Sequence, residues 1–216
     1  MARITVLGGT GYAGAAVVAE AARRGHQVRS ISRKVPDAVR HVPEVAYLAG
    51  SVTDPVFLES VAGESDVVIS ALSPRGPMLG QVRLVDGDLI ALADTLGFRL
   101  GVILGAGSLF TEPGGPRLAD LPGFPPAFKA EADEMAQVLA DLEASPVGVD
   151  WFGVSPAPGF GSSAPGERTG RYRTGGDVVL ADESGNSNIS ADDLAIAILD
   201  EVDRPAHRRQ RFTVAH

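Results

Sequence analysis

The sequence contains no cysteine. Disulfide bonds, thiolate metal sites and cysteine nucleophiles are therefore excluded. Lysine is almost as scarce, because Lys34 and Lys129 are the only two and arginine supplies nearly all of the positive charge. No apolar run approaches the roughly 20 residues of a membrane-spanning helix, so we expect no membrane span. The four histidines show no spacing typical of metal ligands, so we expect no metal site.

Negative charge exceeds positive charge, with 27 acidic and 19 basic residues and a formal net charge of −8. Such a chain repels a phosphate backbone unless its basic residues gather on one face, so nucleic acid is not an expected partner. A strand-like run starts at Arg3 and Ile4, which leaves no room for a signal peptide and predicts a cytoplasmic location. With 216 residues, of which 44% are hydrophobic, the chain fits one domain with a substantial core.

Short β-branched runs alternate with helical patterns through the first two thirds of the chain. The predicted strands are Ile4–Leu7, Gln27–Ser32, Val45–Leu48, Val67–Ser70, Leu100–Leu104 and Val149–Val154. The clearest helices between them are Tyr12–Arg24, Gly80–Leu96 and Ala127–Leu142. Strands joined by crossover helices form a parallel sheet that is covered on both faces. The sequence therefore predicts a doubly wound α/β fold over residues 1–216.

The last third of the chain reads differently. Pro156–Gly176, which we call the flap, is rich in glycine, proline, serine and arginine, and we predict that it covers a ligand without regular elements. Ser190 and Asp193 form a capping box for a further helix, and a last strand follows at Arg211–Val214. We expect residues 156–216 to form a small substrate-side lobe. The basic tract Arg208–Arg211 predicts an exposed strand edge, because charged residues commonly protect such edges.

A glycine-rich segment separates the first strand from the first helix. In this context the pattern is typical of a dinucleotide site, because glycines let the backbone approach a pyrophosphate and the helix N-terminus offers N–H groups to its charge. A glycine-rich turn without a ligand is the alternative. The residues predicted to bind the cofactor here are Gly8, Thr10, Gly11, Tyr12, Ala13 and Gly14.

The end of the second strand bears on the choice of cofactor. NAD-binding proteins usually carry an acidic residue there, which holds the ribose 2′-hydroxyl. This chain has Arg33 and Lys34 instead, and a guanidinium pairs well with a phosphate. The sequence therefore favours NADP(H), with a solvated surface pair as the alternative.

Together with the Gly105–Ser108 run, the Ser155-Pro156 turn and the Asn188–Ala195 segment, these motifs resemble the atypical short-chain dehydrogenase/reductase superfamily. Within it the chain is most similar to small NmrA-like and flavin-reductase-like NAD(P)H-binding proteins, over nearly its whole length. The resemblance implies a Rossmann fold. It also implies three sets of cofactor contacts. Ser70, Ala71 and Leu72 would contact the nicotinamide ribose, and Val52 would contact the adenine. Pro156 and Phe160 would contact the nicotinamide ring.

Active members of this superfamily often combine a serine after the fifth strand with a tyrosine and a lysine four residues apart. Ser108 and Lys129 match the serine and the lysine and are our candidate catalytic residues, with Lys129 also expected to hold the cofactor ribose. Pro125 stands where the tyrosine is expected, which argues against tyrosine-dependent carbonyl reduction. The alternatives are a loop-capping role for Ser108 and, for Lys129, a surface pair with Asp133.

Reduction of a flavin, a quinone or a similar planar acceptor needs no proton donor from the protein, because such an acceptor can take its proton from water. We therefore favour an NADP(H)-dependent reductase of a small-molecule acceptor. The flap arginines Arg168, Arg171 and Arg173 would meet an anionic substrate or remain solvated. A non-catalytic NADP(H) sensor with a regulatory protein partner is the alternative, and a sugar-nucleotide epimerase or dehydratase is weaker. The formation of a homodimer is a further alternative.

Overall fold

One sheet of eight strands runs through the part of the chain that the computed structural model describes, residues 1–38 and 41–216. Strands β1 to β8 are Arg3–Leu7, Gln27–Ser32, Val45–Ala49, Val67–Ser70, Arg99–Ile103, Trp151–Pro156, Arg173–Gly175 and Gln210–Ala215. They lie in the order β3-β2-β1-β4-β5-β6-β8-β7. All neighbouring strands are parallel except β7, which pairs antiparallel with β8.

Helices cover both faces of this sheet. Helices α1 to α5 are Tyr12–Arg23, Pro55–Ala62, Val82–Leu96, Lys129–Glu143 and Ala191–Asp203. Apolar side chains of α1 and α5 pack in one core layer, and those of α2, α3 and α4 pack in the other. The predicted doubly wound α/β fold is therefore confirmed.

Local sequence signals explain where several helices begin and end. Asp54 caps α2 by accepting a hydrogen bond from the N–H of Val56 at 3.0 Å, and Pro55 begins that helix. Helix α3 ends at Gly97, whose φ of 77° is the left-handed conformation that glycine supplies most readily. Ser190 caps α5 by accepting from the N–H of Asp193 at 3.0 Å, as the capping box predicts.

Two aromatic residues at the start of β6 divide between the two core layers. Trp151 is 1% exposed on the face of α3 and α4, whereas Phe152 is fully buried on the face of α1 and α5. Neighbouring β5 makes room for the second ring with Gly101, where an added Cβ would lie 2.4 Å from the ring of Phe152. Both faces of the central strands are therefore filled, as expected for a parallel sheet.

The C-terminal strand corrects one prediction. Arg208–Arg211 does not mark an exposed edge, because β8 lies between β6 and β7 and the side chain of Arg211 is only 3% exposed. The flap, predicted to lack regular elements, contributes the short edge strand β7. Arg211 is tolerated in a buried strand because Asp177, two residues after β7, neutralises its charge.

Residues 156–216 extend the same sheet through β7 and β8 and add α5 to one of its faces. Their role as a substrate-side lobe stays a prediction. Among the helices of the described residues, none combines the length and the apolar character that crossing a membrane requires.

Candidate functional site

The order of the strands reverses between β1 and β4, and the carboxyl ends of these two strands lie against each other. The N–H of Ala71, just after β4, donates to the carbonyl of Leu7 at 2.9 Å. An added Cβ at Gly8 would lie 2.7 Å from the carbonyl oxygen of Ala71. In doubly wound sheets, ligands bind in the crevice outside such a reversal. The glycine turn of residues 8–14 lies at this place.

The glycines of this turn serve different purposes. Gly8 adopts a φ of +76°, which favours glycine. Added Cβ atoms would lie 2.4 Å from the Ser30 hydroxyl at Gly9, and 2.2 Å from the Gly8 carbonyl oxygen at Gly14. Both of these glycines therefore permit close packing within the protein. At Gly11, by contrast, the backbone is extended and an added Cβ would meet only the Gly8 carbonyl oxygen, at 3.2 Å.

Helix α1 begins here without a side-chain cap, since its N-cap residue is Gly11. The N–H groups of Tyr12, Ala13 and Gly14 have no acceptor among residues 1–38 and 41–216. Free N–H groups and the positive end of the helix dipole form an anion site. The space outside Gly11, which a side chain would fill, gives a pyrophosphate access to them. The turn therefore fits the phosphates of a dinucleotide.

Two exposed cations follow β2 beside the glycine turn. Arg29, within the strand, pairs with Glu64, but Arg33 and Lys34 are exposed and form no ion pair within the described part of the chain. The Ser32 hydroxyl donates to the Lys34 carbonyl at 2.6 Å, which shapes the turn that presents them. Both cations remain available to a ligand phosphate, and their role stays a prediction.

The other residues assigned to the cofactor come from strand ends at the same edge of the sheet. Ser70 is 1% exposed at the end of β4 and precedes Ala71 and Leu72. Val52 is 9% exposed after β3. Pro156 ends β6, and the ring centroid of Phe160 lies 5.2 Å from that of Tyr12. The fold therefore gathers these residues at one edge, as the resemblance implies, and their contacts with a cofactor stay a prediction.

Tyr12 joins the start of α1 to the flap. Its hydroxyl donates to the carbonyl of Pro165 at 2.9 Å, and its ring packs on Phe160. Tyr12 of the glycine turn thus contacts the flap, which begins more than 140 residues later in the chain. This contact holds the flap against the start of α1, and its covering of a ligand stays a prediction.

The two candidate catalytic residues have separate partners. Ser108 ends the 3₁₀ turn Ala106–Ser108 after β5, is 5% exposed, and accepts a hydrogen bond from Nη1 of Arg211 at 2.7 Å. Lys129 begins α4, and its Nζ lies 2.6 Å from Asp133 and 3.5 Å from Asp120. The hydrogen bond to Asp133 raises the pKa of Lys129. The surface pair considered from the sequence is present, and a role of Lys129 toward a cofactor stays a prediction.

An apolar hollow lies beside Lys129, in the chain that follows β5. Its lining consists of Ala119, Asp120, Leu121, Phe124, Pro126 and Lys129. Most of these residues are apolar, so the hollow suits a planar ring better than a strongly charged group.

The hollow beside Lys129 has a volume of about 600 Å³. Small-molecule sites commonly measure roughly 300–1,000 Å³, so this volume lies within their range. The two charged lining residues form ion pairs, Asp120 with Arg117 and Lys129 and Lys129 with Asp133 as well. The hollow is consequently close to neutral as well as apolar.

Asp193 fastens the flap to the start of α5, a role that the capping box did not predict. Its side chain is fully buried and accepts from the N–H groups of Thr169 and Gly170, both at 2.8 Å. Nε2 of His216 lies 2.8 Å from the same carboxylate. Burial raises the pKa of Asp193, but these hydrogen bonds outweigh it and hold the pKa below its usual range. Asp193 therefore remains charged and holds three separate segments together.

The flap arginines bind mainly to the protein itself. Arg168 lies 3.5 Å from Glu20 of α1, and Arg173 donates to the carbonyl of His216 at 2.5 Å. Arg171 is exposed and forms no ion pair within the described residues. Of the three, Arg171 has the side chain most available to an anionic substrate.

Sequence reasoning missed a buried carboxyl group beside the site. Asp86 of α3 is 1% exposed, and neither of its oxygens has a hydrogen bond of good geometry among the described residues, although the Ser70 hydroxyl faces it. Burial raises the pKa of Asp86 to about 7, and Ser70 opposes part of this rise. The only signal in the sequence was an acidic residue on the apolar stripe of α3, three residues before Leu89.

Arg211 and its partner Asp177 were missed as well. The signal was an arginine within the apolar run that ends the chain, which indicates a buried charge as readily as an exposed edge. Only the packing of β7 against β8 brings Asp177 to it.

A sequence model described as NAD(P)H-binding matches residues 8–205. The chain belongs to this NAD(P)H-binding family. The match confirms the resemblance that the glycine turn and the strand-end residues indicated. It does not distinguish NADP from NAD.

Similar proteins cover the whole chain. The uncharacterized protein YwnB of Bacillus subtilis is 35% identical over 217 residues, which span 98% of this chain and 97% of that protein. A solved structure from Burkholderia pseudomallei, provisionally named an exported protein, is 38% identical with a TM-score of 0.86 and full coverage of both chains. Another, from Streptococcus pneumoniae, provisionally named an NADH-flavin reductase, is 30% identical with a TM-score of 0.84 and full coverage of both chains. The protein is accordingly an oxidoreductase-like member of the family.

Proposed function

We propose that the protein is an NADP(H)-dependent reductase of a flavin, a quinone or a similar planar acceptor. The observation that carries this proposal is the uncapped start of α1, with free N–H groups at Tyr12 and Ala13 beside the open space at Gly11. The same edge of the sheet presents the two exposed cations that follow β2. Together they supply a pyrophosphate site and a second phosphate site.

The preference for NADP(H) rests on charge. A 2′-phosphate would meet Arg33 and Lys34, which no carboxylate of the described residues neutralises. NAD(H) offers a hydroxyl there and gains nothing from two cations. NADP(H) should therefore bind more tightly.

The acceptor class rests on what the site contains and lacks. When bound, the reduced cofactor supplies a hydride, and the acceptor takes the accompanying proton from water. Ser108 donates a hydrogen bond that orients the acceptor, and the flap with Phe160 limits the access of water. No tyrosine stands four residues before Lys129, so the chain lacks the proton donor that carbonyl reduction in this superfamily uses. The apolar, nearly neutral hollow beside Lys129 favours a planar ring.

The decisive experiment offers a panel of flavins and quinones to the protein with NADPH and follows absorbance at the nicotinamide band. We expect turnover well above the uncatalysed rate for at least one acceptor, and a loss of about tenfold in kcat in Ser108→Ala. Ser184→Ala, a change in an exposed turn, serves as the control. If NADPH is bound and no acceptor is reduced, the enzyme proposal fails.

In that event the alternative of a non-catalytic sensor gains support, and this alternative requires a difference in binding. Oxidised and reduced cofactor must bind with different affinities, because a ligand that does not distinguish two states cannot shift them. Calorimetric titration with NADP⁺ and NADPH measures this difference. A cytoplasmic location is part of the reductase proposal, and cell fractionation tests it, since one relative is named an exported protein.

A further inference from the structure

A buried arginine stands directly behind the candidate catalytic serine. Nη1 of Arg211 donates to the hydroxyl oxygen of Ser108 at 2.7 Å, across 103 residues of chain. The serine is 5% exposed and the arginine side chain 3% exposed. Water therefore does not compete strongly for this hydrogen bond, which is stronger than a neutral one because the donor is charged.

The chemistry of arginine decides the direction of this hydrogen bond. A guanidinium has only N–H donors and stays protonated in proteins, so the Ser108 oxygen must be the acceptor. The single proton of the serine hydroxyl must then point elsewhere. It has no acceptor among residues 1–38 and 41–216. A ligand at the carboxyl end of β5 can therefore receive it.

The arginine is itself held from the opposite side. Its Nε and Nη2 lie 2.8 and 2.7 Å from the carboxylate of Asp177. The backbone carbonyl of Asp177 accepts from the N–H of Phe110 at 2.8 Å, two residues after the serine. The two partners of Arg211 thus belong to segments that are joined through their backbones, so the guanidinium has little freedom to turn.

We propose that Arg211 is a positioning residue that aims the O–H of Ser108 at the acceptor. Its positive charge also makes that hydroxyl a stronger donor, because it withdraws electron density from the oxygen. This inference rests on the proposed function, since it takes Ser108 to face the acceptor. It adds a residue that touches neither cofactor nor acceptor.

Two polar substitutions that differ in whether they can accept a proton separate the aiming of the hydroxyl from packing. Arg211→Lys keeps a charged group that can only donate, so Ser108 remains an acceptor and kcat should fall no more than about threefold. Arg211→Gln introduces a carbonyl oxygen that can take the serine proton, so kcat should fall about tenfold, as in Ser108→Ala. The KM for NADPH should not change in either variant. Equal kcat losses in the two variants would contradict the proposal.

A double-mutant cycle supplies the control for structural damage. In a Ser108→Ala background, Arg211→Gln should cause no further loss of kcat, whereas it should still lower the melting temperature, because Asp177 loses its buried partner in both backgrounds. A further tenfold loss of kcat without Ser108 would show that Arg211 acts through the fold alone.

A readout without turnover keeps this proposal distinct from the proposed function. Neutron diffraction from deuterated crystals grown with NADP⁺ locates the deuterium on the Ser108 oxygen. We expect it to point into the crevice and away from every protein oxygen in wild type, and toward residue 211 in Arg211→Gln. A deuterium bonded to a protein carbonyl in wild type overturns the inference. Failure of the acceptor panel alone overturns the reductase proposal.

Discussion

The glycine turn of residues 8–14 and the C-terminal region of residues 168–216 are held in different ways. The turn is built from backbone, with the N–H of Gly8 donating to Ile31 at 2.9 Å and that of Gly11 donating to Gly8 at 2.9 Å. The C-terminal region is held by charged side chains, among them Asp193, Arg211 and Glu201. The first depends on the absence of side chains and the second on their pairing.

This difference predicts different consequences of substitution. In the turn, an added side chain that fits the fold takes the place of ligand and changes binding. In the C-terminal region, the loss of one charge leaves its partner buried and unpaired, which changes stability. The four predictions that follow test this contrast.

The largest expected effect is in the C-terminal region. Arg99 donates to Glu201 at 2.6 Å, with side chains 9% and 3% exposed. Breaking a buried pair typically costs about 3–5 kcal/mol, so Glu201→Gln should lower the free energy of unfolding by that amount in urea titrations. Glu143→Gln, on an exposed part of α4, is the matched control and should change it little. A loss below about 1 kcal/mol would contradict the contrast.

Asp86 is an exception to this contrast, because it is a buried carboxyl group without a good partner and lies outside the C-terminal region. Its folded pKa of about 7 lies above the ordinary value of 3.8, so its protonation stabilises the fold at low pH and that contribution is lost as pH rises toward 7. Since each pKa unit corresponds to about 1.4 kcal/mol, Asp86→Asn should gain up to about 4 kcal/mol over wild type at pH 8. The gain should shrink as pH falls to 5.

Urea unfolding of both proteins at pH 5 and pH 8 measures this effect. Asp88→Asn, two residues further along α3 and exposed, is the control and should show no such pH dependence. An equal stability difference at the two pH values would exclude a raised pKa as its cause.

The glycine turn should respond in binding rather than in stability. Gly11→Val adds branches to the open side of an extended backbone, so we expect NADPH affinity to fall more than about a hundredfold, or about 2.7 kcal/mol, with little change in melting temperature. Gly14→Ala is the matched variant, since its Cβ would lie 2.2 Å from a backbone oxygen and should lower stability. Calorimetry and thermal unfolding compare the two. Normal NADPH binding in Gly11→Val would show that the phosphates lie elsewhere.

The smallest effect concerns the choice of cofactor. Arg33→Asp removes one charge-assisted contact, worth about 1.5–3 kcal/mol, and should weaken NADPH binding roughly ten- to a hundredfold while improving NADH binding. Arg171→Asp makes the same charge change on the exposed flap and should leave both affinities unchanged. Equal affinities of the wild-type protein for the two cofactors would refute the assigned role of Arg33.

Most elements were predictable because they depend on local pattern. The predicted strand Leu100–Leu104 corresponds to β5 at Arg99–Ile103, and the predicted helix Gly80–Leu96 corresponds to α3 at Val82–Leu96. The predicted strand Val149–Val154 is displaced by two residues, since β6 spans Trp151–Pro156. Propensity indicates that a strand exists, but the hydrogen bonds to neighbouring strands set its ends.

The candidate site was predictable to the extent that it is made of backbone. The glycine turn, the strand ends and the exposed cations after β2 all lie where a parallel sheet brings them, at one edge. The partners of side chains were harder to foresee, because Ser108 was matched by position alone and Arg211 was interpreted as an exposed edge. The surface pair of Lys129 with Asp133 was foreseeable, since the two residues are four apart on one helix.

By itself the sequence determined the alternation of strands and helices, the parallel doubly wound sheet and the glycine turn at its carboxyl edge. Each of these follows from periodicity or backbone freedom within a few residues. Only the tertiary structure decided that Arg211 is buried, that it meets Ser108 and Asp177, and that Asp193 fastens the flap. Those contacts join residues far apart in the chain, and their charges are stable in the interior only because folding brings the partners together.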